Sequence, residues 1–255
     1  MEYLEICSLF ISFDLILRHL TMKTNPAIWT VLIAGVLFFL IFNCKKESIK
    51  TAPTVTLLPV TDITSNSAST GGVVTSDGGA VVMVRGICWS NTQNPSTSNS
   101  TTSNGPGKGS FESSLTGLMP GTTYYLKSYG TNAVGTGYSS QSTFTTTALA
   151  PVLTTTDLSS LTAISVNSGG NITSDGGSPV TAQGVCWSKS QNPTIADSKT
   201  TDSAGSNSFT SIITGLSPGS TYYIRAYATN SIGTAYGNQV TTKILPILRT
   251  INAAS

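Results

Sequence analysis

Residue types with strong intrinsic reactivity are scarce in this chain of 255 residues. His19 is its only histidine, and it precedes the start that we predict for the exported protein. A Ser-His or Cys-His nucleophile system, and a metal site built on imidazole, are therefore excluded from the predicted mature chain. We predict no catalytic residue, no metal and no cofactor.

Two carboxylates, Asp77 and Asp175, stand at equivalent places, each directly before a Gly-Gly pair. One functional interpretation is that each aspartate is a calcium ligand, and another is that it is one of the two catalytic carboxylates of a glycosidase. Hydrolysis of that kind normally needs two carboxylates, and no partner recurs at matching places. The glycines that follow are typical of a tight turn, so we favour turn chemistry for both residues.

The chain has four cysteines, of which Cys88 and Cys186 occupy equivalent places 98 residues apart. Corresponding positions of two separate domains should lie too far apart for a disulfide, and one cysteine per domain cannot build a zinc cluster. No cationic neighbour recurs beside either thiol. A small buried side chain is therefore favoured over a reactive one.

Tyrosines in a stretch that occurs twice are the strongest candidates for binding. Residues 118–132 return as residues 216–230, and in both copies aromatic or cationic residues alternate with smaller ones. In a strand, this alternation places one set on the outer face of the sheet. Aromatic faces can stack on sugars, although tyrosine is also an ordinary residue of exposed sheet positions. The candidate ligand surface comprises Tyr125, Lys127, Tyr129, Tyr223, Arg225 and Tyr227.

Short strands have to position these residues, because the composition disfavours helices. Only 9% of residues are charged, while Thr, Ser and Gly abound. In the first copy the pattern predicts strands at 55–58, 68–75, 81–90, 110–115, 123–132 and 138–146. Strands of this spacing with turn signals between them indicate an antiparallel sandwich.

The residue pattern does not decide which face of the third strand points into the core. Burying an indole stabilises more than burying a thiol, since core Trp-to-Ala losses are about 3–5 kcal/mol. We therefore expect Trp89 and Trp187 to point inward. A bulge at Gly86 and Gly184 is the alternative, because it would bring parts of both faces inside.

The repeat also carries a family resemblance. The motif Leu-x-Pro-Gly-Thr/Ser-Thr-Tyr, followed by alternating residues and an Asn-x-x-Gly turn, resembles the E–F corner of fibronectin type III domains. The resemblance implies a tyrosine corner at Tyr124 and Tyr222, with a buried ring and a hydroxyl bonded to backbone of the preceding loop. It also implies two tandem antiparallel immunoglobulin-like β-sandwiches, at 53–150 and 151–245, after an N-terminal signal or anchor segment.

One departure refines the resemblance. Fibronectin type III domains most often carry the core tryptophan in the second strand, whereas Gly-apolar-Cys-Trp-Ser at 86–90 and 184–188 puts it in the third. The combination looks like the tandem modules of large bacterial surface lipoproteins. In that family, catalytic residues are not associated with the module itself.

The N-terminus resembles an export signal. We predict that residues 1–43 are upstream residues plus a lipoprotein-type signal that starts at Met22. The apolar run from Ala27 to Phe42 is shorter than the roughly 20 residues of a spanning helix. The resemblance to bacterial lipoprotein signals implies lipidation of Cys44, with an uncleaved anchor as the alternative. Residues 44–52 are then a lipidated tether, and 246–255 begin a truncated third unit or form a tail.

These expectations describe a non-catalytic cell-envelope lipoprotein, anchored by lipid at the outer membrane on its periplasmic or its surface-exposed face. It would act as a spacer, adhesion or interaction module whose partners are the membrane and a glycan or protein ligand. One alternative is a carbohydrate- or protein-binding module that uses the tyrosine stripe. Another is the accessory region of a longer exported enzyme. A formal net charge of +2 gives no basis for nucleic-acid binding.

Overall fold

The computed structural model describes residues 49–205 and 207–247. Those residues form strands, turns and irregular connections without a helix, which confirms the predicted all-β class. Within them, no helix is long and apolar enough to span a membrane. All of them except Ile49 belong to one compact unit that begins at Lys50.

The strands fall into two sets of eight, which we name module 1 and module 2. The strands of module 1 are β1 (Thr54–Leu57), β2 (Ser67–Ser76), β3 (Val84–Ser90), β4 (Ser100–Thr101), β5 (Gly109–Thr116), β6 (Thr123–Thr131), β7 (Thr136–Tyr138) and β8 (Ser142–Thr145). The strands of module 2 are β9 (Val152–Thr155), β10 (Val166–Ser174), β11 (Ala182–Ser188), β12 (Ser198–Lys199), β13 (Ser208–Ile213), β14 (Thr221–Thr229), β15 (Thr234–Tyr236) and β16 (Val240–Lys243).

Each module is a sandwich of two antiparallel sheets. In module 1 one sheet has the order β1-β2-β5, and the other has the order β4-β3-β6-β7 with β8 also paired to β6. Module 2 repeats both sheets, with β14 in the place of β6. Buried apolar residues from both sheets, such as Val74, Leu115 and Leu126, form one core cluster in module 1. The predicted tandem sandwiches are thus confirmed.

The pairing of β3 with β6 decides which way the tryptophan points. Trp89 lies opposite Leu126, and the register runs residue by residue along the whole of β3. Leu126 is fully buried and Trp89 packs against the same core cluster, so the indole points inward, as expected. Trp187 packs in the same way against the core of module 2. No bulge is needed at Gly86.

The last predicted strand, 138–146, is divided into β7 and β8. Ser139 lies between them and is buried. Its backbone N–H donates to the Ser128 carbonyl at 3.0 Å, and its hydroxyl accepts from the Ser128 N–H at 3.0 Å. The Ser139 hydroxyl oxygen thereby accepts the hydrogen bond that a backbone carbonyl would accept in a regular ladder. The Ser128 N–H of β6 is satisfied although the pairing is interrupted there. The sequence pattern does not indicate that a serine hydroxyl replaces a backbone carbonyl at this place.

The first tyrosine of each Tyr-Tyr pair closes its sandwich. The Tyr124 hydroxyl accepts a hydrogen bond from the Met119 N–H at 3.0 Å, and the Tyr222 hydroxyl accepts one from the Ser217 N–H at 3.2 Å. The ring of Tyr124 also stacks on Phe144, with 5.7 Å between centroids. The two hydroxyl hydrogen bonds to the preceding loop are the contacts that the family resemblance implies.

A buried asparagine clamps the opposite end of the same strand. The Asn132 amide NH2 donates to the carbonyls of Thr51 and Asp77, both at 2.7 Å. Its oxygen accepts from the N–H groups of Val134 and Gly135 at 2.9 and 3.1 Å. Four hydrogen bonds satisfy the amide completely. Asn132 therefore ties the entry of the module to two of its turns.

Replacing Tyr124 by Phe should lower the free energy of unfolding of module 1 by about 1 kcal/mol, because the Met119 N–H loses its acceptor. Tyr125→Phe is the matched control, since that residue is half-buried on the outer face and its hydroxyl bonds to no described residue. Urea unfolding followed by near-ultraviolet circular dichroism measures both. Equal losses in the two variants would contradict the assigned faces.

Candidate functional site

The predicted ligand surface is only partly accessible. Tyr129 and Tyr227 lie on the outer face of their sheets, but only 5% and 3% of their surface is exposed. Tyr125 and Tyr223 are half-buried. The expectation of an open tyrosine stripe on each module is therefore wrong for Tyr129 and Tyr227, which no ligand can reach in this conformation.

The module's own chain covers the stripe. We call residues 91–99, between β3 and β4, the covering loop of module 1. The Asn94 N–H donates to the Gln141 side-chain oxygen at 2.6 Å, and the Thr97 N–H donates to the Tyr138 hydroxyl at 3.2 Å. Both acceptors lie in β7 or just after it, across the central strand from β3. The covering loop thus spans the outer face of the sheet.

Residues 189–197 form the covering loop of module 2 and make the same contacts. The Asn192 N–H donates to the Gln239 side-chain oxygen at 2.5 Å, and the Ile195 N–H donates to the Tyr236 hydroxyl at 3.1 Å. Pro193 of this loop is fully buried. The cover is therefore a repeated feature of the fold.

Each buried outer tyrosine lies across a glycine. Gly86 stands opposite Tyr129 in the ladder, and a Cβ at Gly86 would come within 3.0 Å of the tyrosine ring and would overlap the Thr102 carbonyl oxygen. The Tyr129 hydroxyl donates to that same carbonyl at 2.8 Å. Gly184, Tyr227 and Thr200 repeat the arrangement in module 2, with a bond of 2.7 Å. Each tyrosine thus bonds to the residue that directly follows the short strand after its covering loop.

The two cations of the stripe contact neighbouring tyrosines of their own modules. The Lys127 ammonium lies 6.0 Å from the ring centre of Tyr138, and the Arg225 guanidinium lies 4.8 Å from that of Tyr236. Arg225 also donates to the Gly237 carbonyl at 3.0 Å. Tyr138 and Tyr236 were absent from the predicted surface, although their recurrence six residues after Asn132 and Asn230 was available as a signal.

The recurrent aspartates make turns. The Asp77 carboxylate accepts from the Gly79 N–H at 3.0 Å, and Asp175 accepts from the Gly177 N–H at 2.8 Å. The hydrogen bond from Gly79, reinforced by Lys108 at 3.2 Å, lowers the pKa of Asp77. Across 49–205 and 207–247, no three His, Cys, Asp or Glu side chains cluster as metal ligands. Cys44 lies outside the described residues.

Both described cysteines lie beneath the covering loops. Cys88 and Cys186 are fully buried, and the Cys186 thiol donates to the Pro193 carbonyl at 3.4 Å. Burial raises the pKa of Cys88, and it raises the pKa of Cys186 to about 11. Since the thiolate is the reactive form, both sites are chemically quiet near neutral pH.

A cleft opens at the end of module 1 where β3 finishes and β6 begins. It has a volume of about 540 Å³ and lies between the half-buried Trp89, the edge of the covering loop and the turn that follows β5. Its lining side chains are aromatic, aliphatic, hydroxyl or amide, and none is charged. It includes Asn91, Asn99 and Thr116. No pattern in the sequence joins these three segments.

The matching end of module 2 is different. Lys189 occupies the place of Asn91, and its ammonium lies 5.6 Å from the ring centre of Tyr222 and 3.5 Å from the Ser217 hydroxyl. Hydrogen bonds with Ser217 lower the pKa of Tyr222, and the Lys189 charge adds to that effect. The lysine therefore lies over the tyrosine corner of module 2, where module 1 has its open cleft.

Alkylation of Cys186 by iodoacetamide should be slow in the folded protein at pH 8, because a pKa of about 11 leaves about 0.1% thiolate. The rate should rise as the pH approaches 11 and should rise at once in urea. The stabilising contribution of the neutral thiol is present below pH 9.0 and is lost as pH rises through about 11. Peptide mass spectrometry resolves each site, and fast labelling of folded Cys186 at pH 8 would refute its burial.

Comparison with known proteins adds no family to these observations. No protein-family model matches the chain, and no curated protein matches it.

Proposed function

We propose that the two modules are a non-catalytic spacer of an exported, lipid-anchored envelope protein, and that they are fibronectin type III-like. The proposal is supported most directly by the junction between the modules. A spacer needs folded units that each have their own core. It also needs a connection between the units that is short and hydrogen-bonded, so that their relative orientation is restricted.

Two glycine turns meet at the junction. The Pro120-Gly121 turn of module 1 packs against the Gly176-Gly177 turn of module 2. A Cβ at Gly121 would overlap the Gly177 carbonyl oxygen, and a Cβ at Gly177 would overlap the Pro120 carbonyl oxygen. Backbones approach this closely only where both residues lack side chains. The contact limits bending between the modules.

The connecting segment is also bonded to module 2. The Leu149 N–H donates to the Gly176 carbonyl at 2.8 Å, and the Asn230 amide donates to the Leu149 carbonyl at 2.7 Å. The same amide donates to the Asp175 carbonyl at 2.8 Å. Since Asn230 is buried, these bonds are shielded from water and hold the connector against the glycine turn.

The binding alternative that relied on the tyrosine stripe loses support, because the covering loops occupy that face. The corner contacts of Tyr124 and Tyr222 support the fibronectin type III-like assignment. The lipid anchor rests on the sequence around Cys44, whose resemblance to a lipoprotein signal supports export and tethering. On this proposal the chain holds its distal end away from the membrane.

Gly121→Ala should loosen the junction, because the new methyl group collides with the Gly177 carbonyl. Spin labels at Glu112→Cys and Thr210→Cys, exposed positions one on each module, report the distance between modules by pulsed electron resonance. We expect one narrow distribution in the parent chain and a clearly broader one in Gly121→Ala.

Gly219→Ala is the matched control for that measurement. Gly219 is the counterpart of Gly121 in module 2, with a φ of 71° against 57°, and no atom lies within 4 Å of the place that a Cβ would take there. The Gly219→Ala variant should therefore have a backbone strain comparable to that of Gly121→Ala, but it should lose no contact at the junction. Broadening in both variants, or in neither, would argue against a rigid spacer.

The proposed anchor gives a separate expectation. Cells that express the chain should incorporate a palmitate analogue into it, and Cys44→Ala should abolish incorporation, because the Cys44 sulfur is the proposed site of lipid attachment. In-gel fluorescence of the purified protein reads the result. Cys88→Ala, at a buried thiol, serves as the control and should keep the label. Incorporation that survives Cys44→Ala would remove the anchor from the proposal.

A further inference from the structure

The cleft at the end of module 1 combines an aromatic wall with uncharged polar groups. Trp89 lines the cleft as its aromatic wall, and this residue is half-buried where it packs against the core cluster. The edges carry the side chains of Asn91, Ser98, Asn99, Ser100 and Thr116. The apolar faces of sugar rings stack on indoles, while amides and hydroxyls exchange hydrogen bonds with sugar hydroxyls.

Several of these polar groups are free to bind a ligand. The side chains of Asn91, Ser100 and Thr116 are exposed, and none makes a hydrogen bond to another residue of the described chain. The Asn99 oxygen accepts from the Ser96 N–H at 3.0 Å, which holds the amide in place. Its NH2 group has no partner among the described residues. The cleft therefore offers donors and acceptors beside one aromatic surface.

The counterpart in module 2 lacks this combination. Lys189, Ala196 and Asp197 replace Asn91, Ser98 and Asn99. Lys189 lies over the tyrosine corner, and the Asp197 carboxylate accepts from the Thr194 N–H at 2.9 Å. Two charges and a methyl group thus stand where module 1 has amides and a hydroxyl. The duplicated fold has kept the tryptophan and changed the groups around it.

From this contrast we propose that the Trp89 cleft of module 1 binds a neutral saccharide, and that module 2 does not. The tryptophan stacks on one sugar ring, and Asn91 and Asn99 hydrogen-bond its hydroxyls. Charged saccharides are disfavoured, because the cleft has no cation to pair with a carboxylate or a sulfate. The site is distinct from the covered tyrosine stripe and goes beyond the spacer role.

Isothermal titration of the full chain with four neutral hexasaccharides, built of glucose (α- or β-linked), mannose or xylose, tests the proposal, with hexagalacturonate as the charged probe. We expect at least one neutral probe to bind with a stoichiometry of one, and about tenfold more tightly than hexagalacturonate. Absence of binding to every neutral probe, or tighter binding of hexagalacturonate, would overturn the proposal and leave the spacer role untouched.

Asn91→Lys locates the binding. It brings the module 2 residue into module 1 and should weaken binding by about tenfold or more, through blocked access and a lost amide. Asn91 is exposed, so thermal unfolding should not change. Asn171→Lys adds the same charge at an exposed strand position of module 2 and should leave binding intact. Equal affinity in the parent chain and in Asn91→Lys would place the ligand elsewhere and overturn the assignment.

A transplant provides the opposite test. The triple variant Lys189→Asn, Ala196→Ser, Asp197→Asn rebuilds the amides and hydroxyl beside Trp187. All three positions are exposed, which favours retention of the fold. The stoichiometry should rise from one to two. A value that stays at one, with unchanged circular dichroism, would show that these residues do not define the site.

Discussion

Coverage of the central strand on both faces is the constraint on which each module depends. β6 pairs with β3 on one side and with β7 and β8 on the other, so its backbone is satisfied throughout, but its outer face carries large side chains. The core covers the inner face. On the outer face the covering loop, held by Gln141 and Tyr138, excludes water from Cys88 and Tyr129. The stripe that looks like a binding surface is therefore a second, smaller core.

This constraint explains the residues that recur. Gly86 has to lack a side chain because a tyrosine ring and the Thr102 carbonyl occupy the space of its Cβ. Cys88 is small enough to lie beneath the covering loop, whose Pro95 is buried. The repeated Gly-apolar-Cys-Trp-Ser motif thus alternates between two environments. Glycine and cysteine serve the outer cover, and the apolar residue and tryptophan serve the core.

Much of this fold could be predicted from the residues, because the relevant signals are local. Alternation placed the central strand, the Pro-Gly-Thr-Tyr motif placed the corner, and Asp-Gly-Gly placed a turn in which Gly78 and Gly79 have φ angles of 67° and 82°. The covering loop could not be predicted, since a polar stretch without periodicity carries no sign of what it packs against. The alternation of residues shows to which face of the sheet a side chain points. Whether that side chain is buried also depends on segments that are distant in the sequence.

The cleft was out of reach of sequence reasoning for the same reason, since its walls come from segments that meet only in the fold. What the sequence did contain was the difference between the copies, at Asn91 and Lys189. The glycine, cysteine and tryptophan of β3 and the corner tyrosine are the same in both modules, whereas these two residues lie on an exposed rim. A change there leaves folding intact and alters only what can approach the tryptophan. Divergence between duplicated modules is therefore most informative at exposed positions beside a shared aromatic residue.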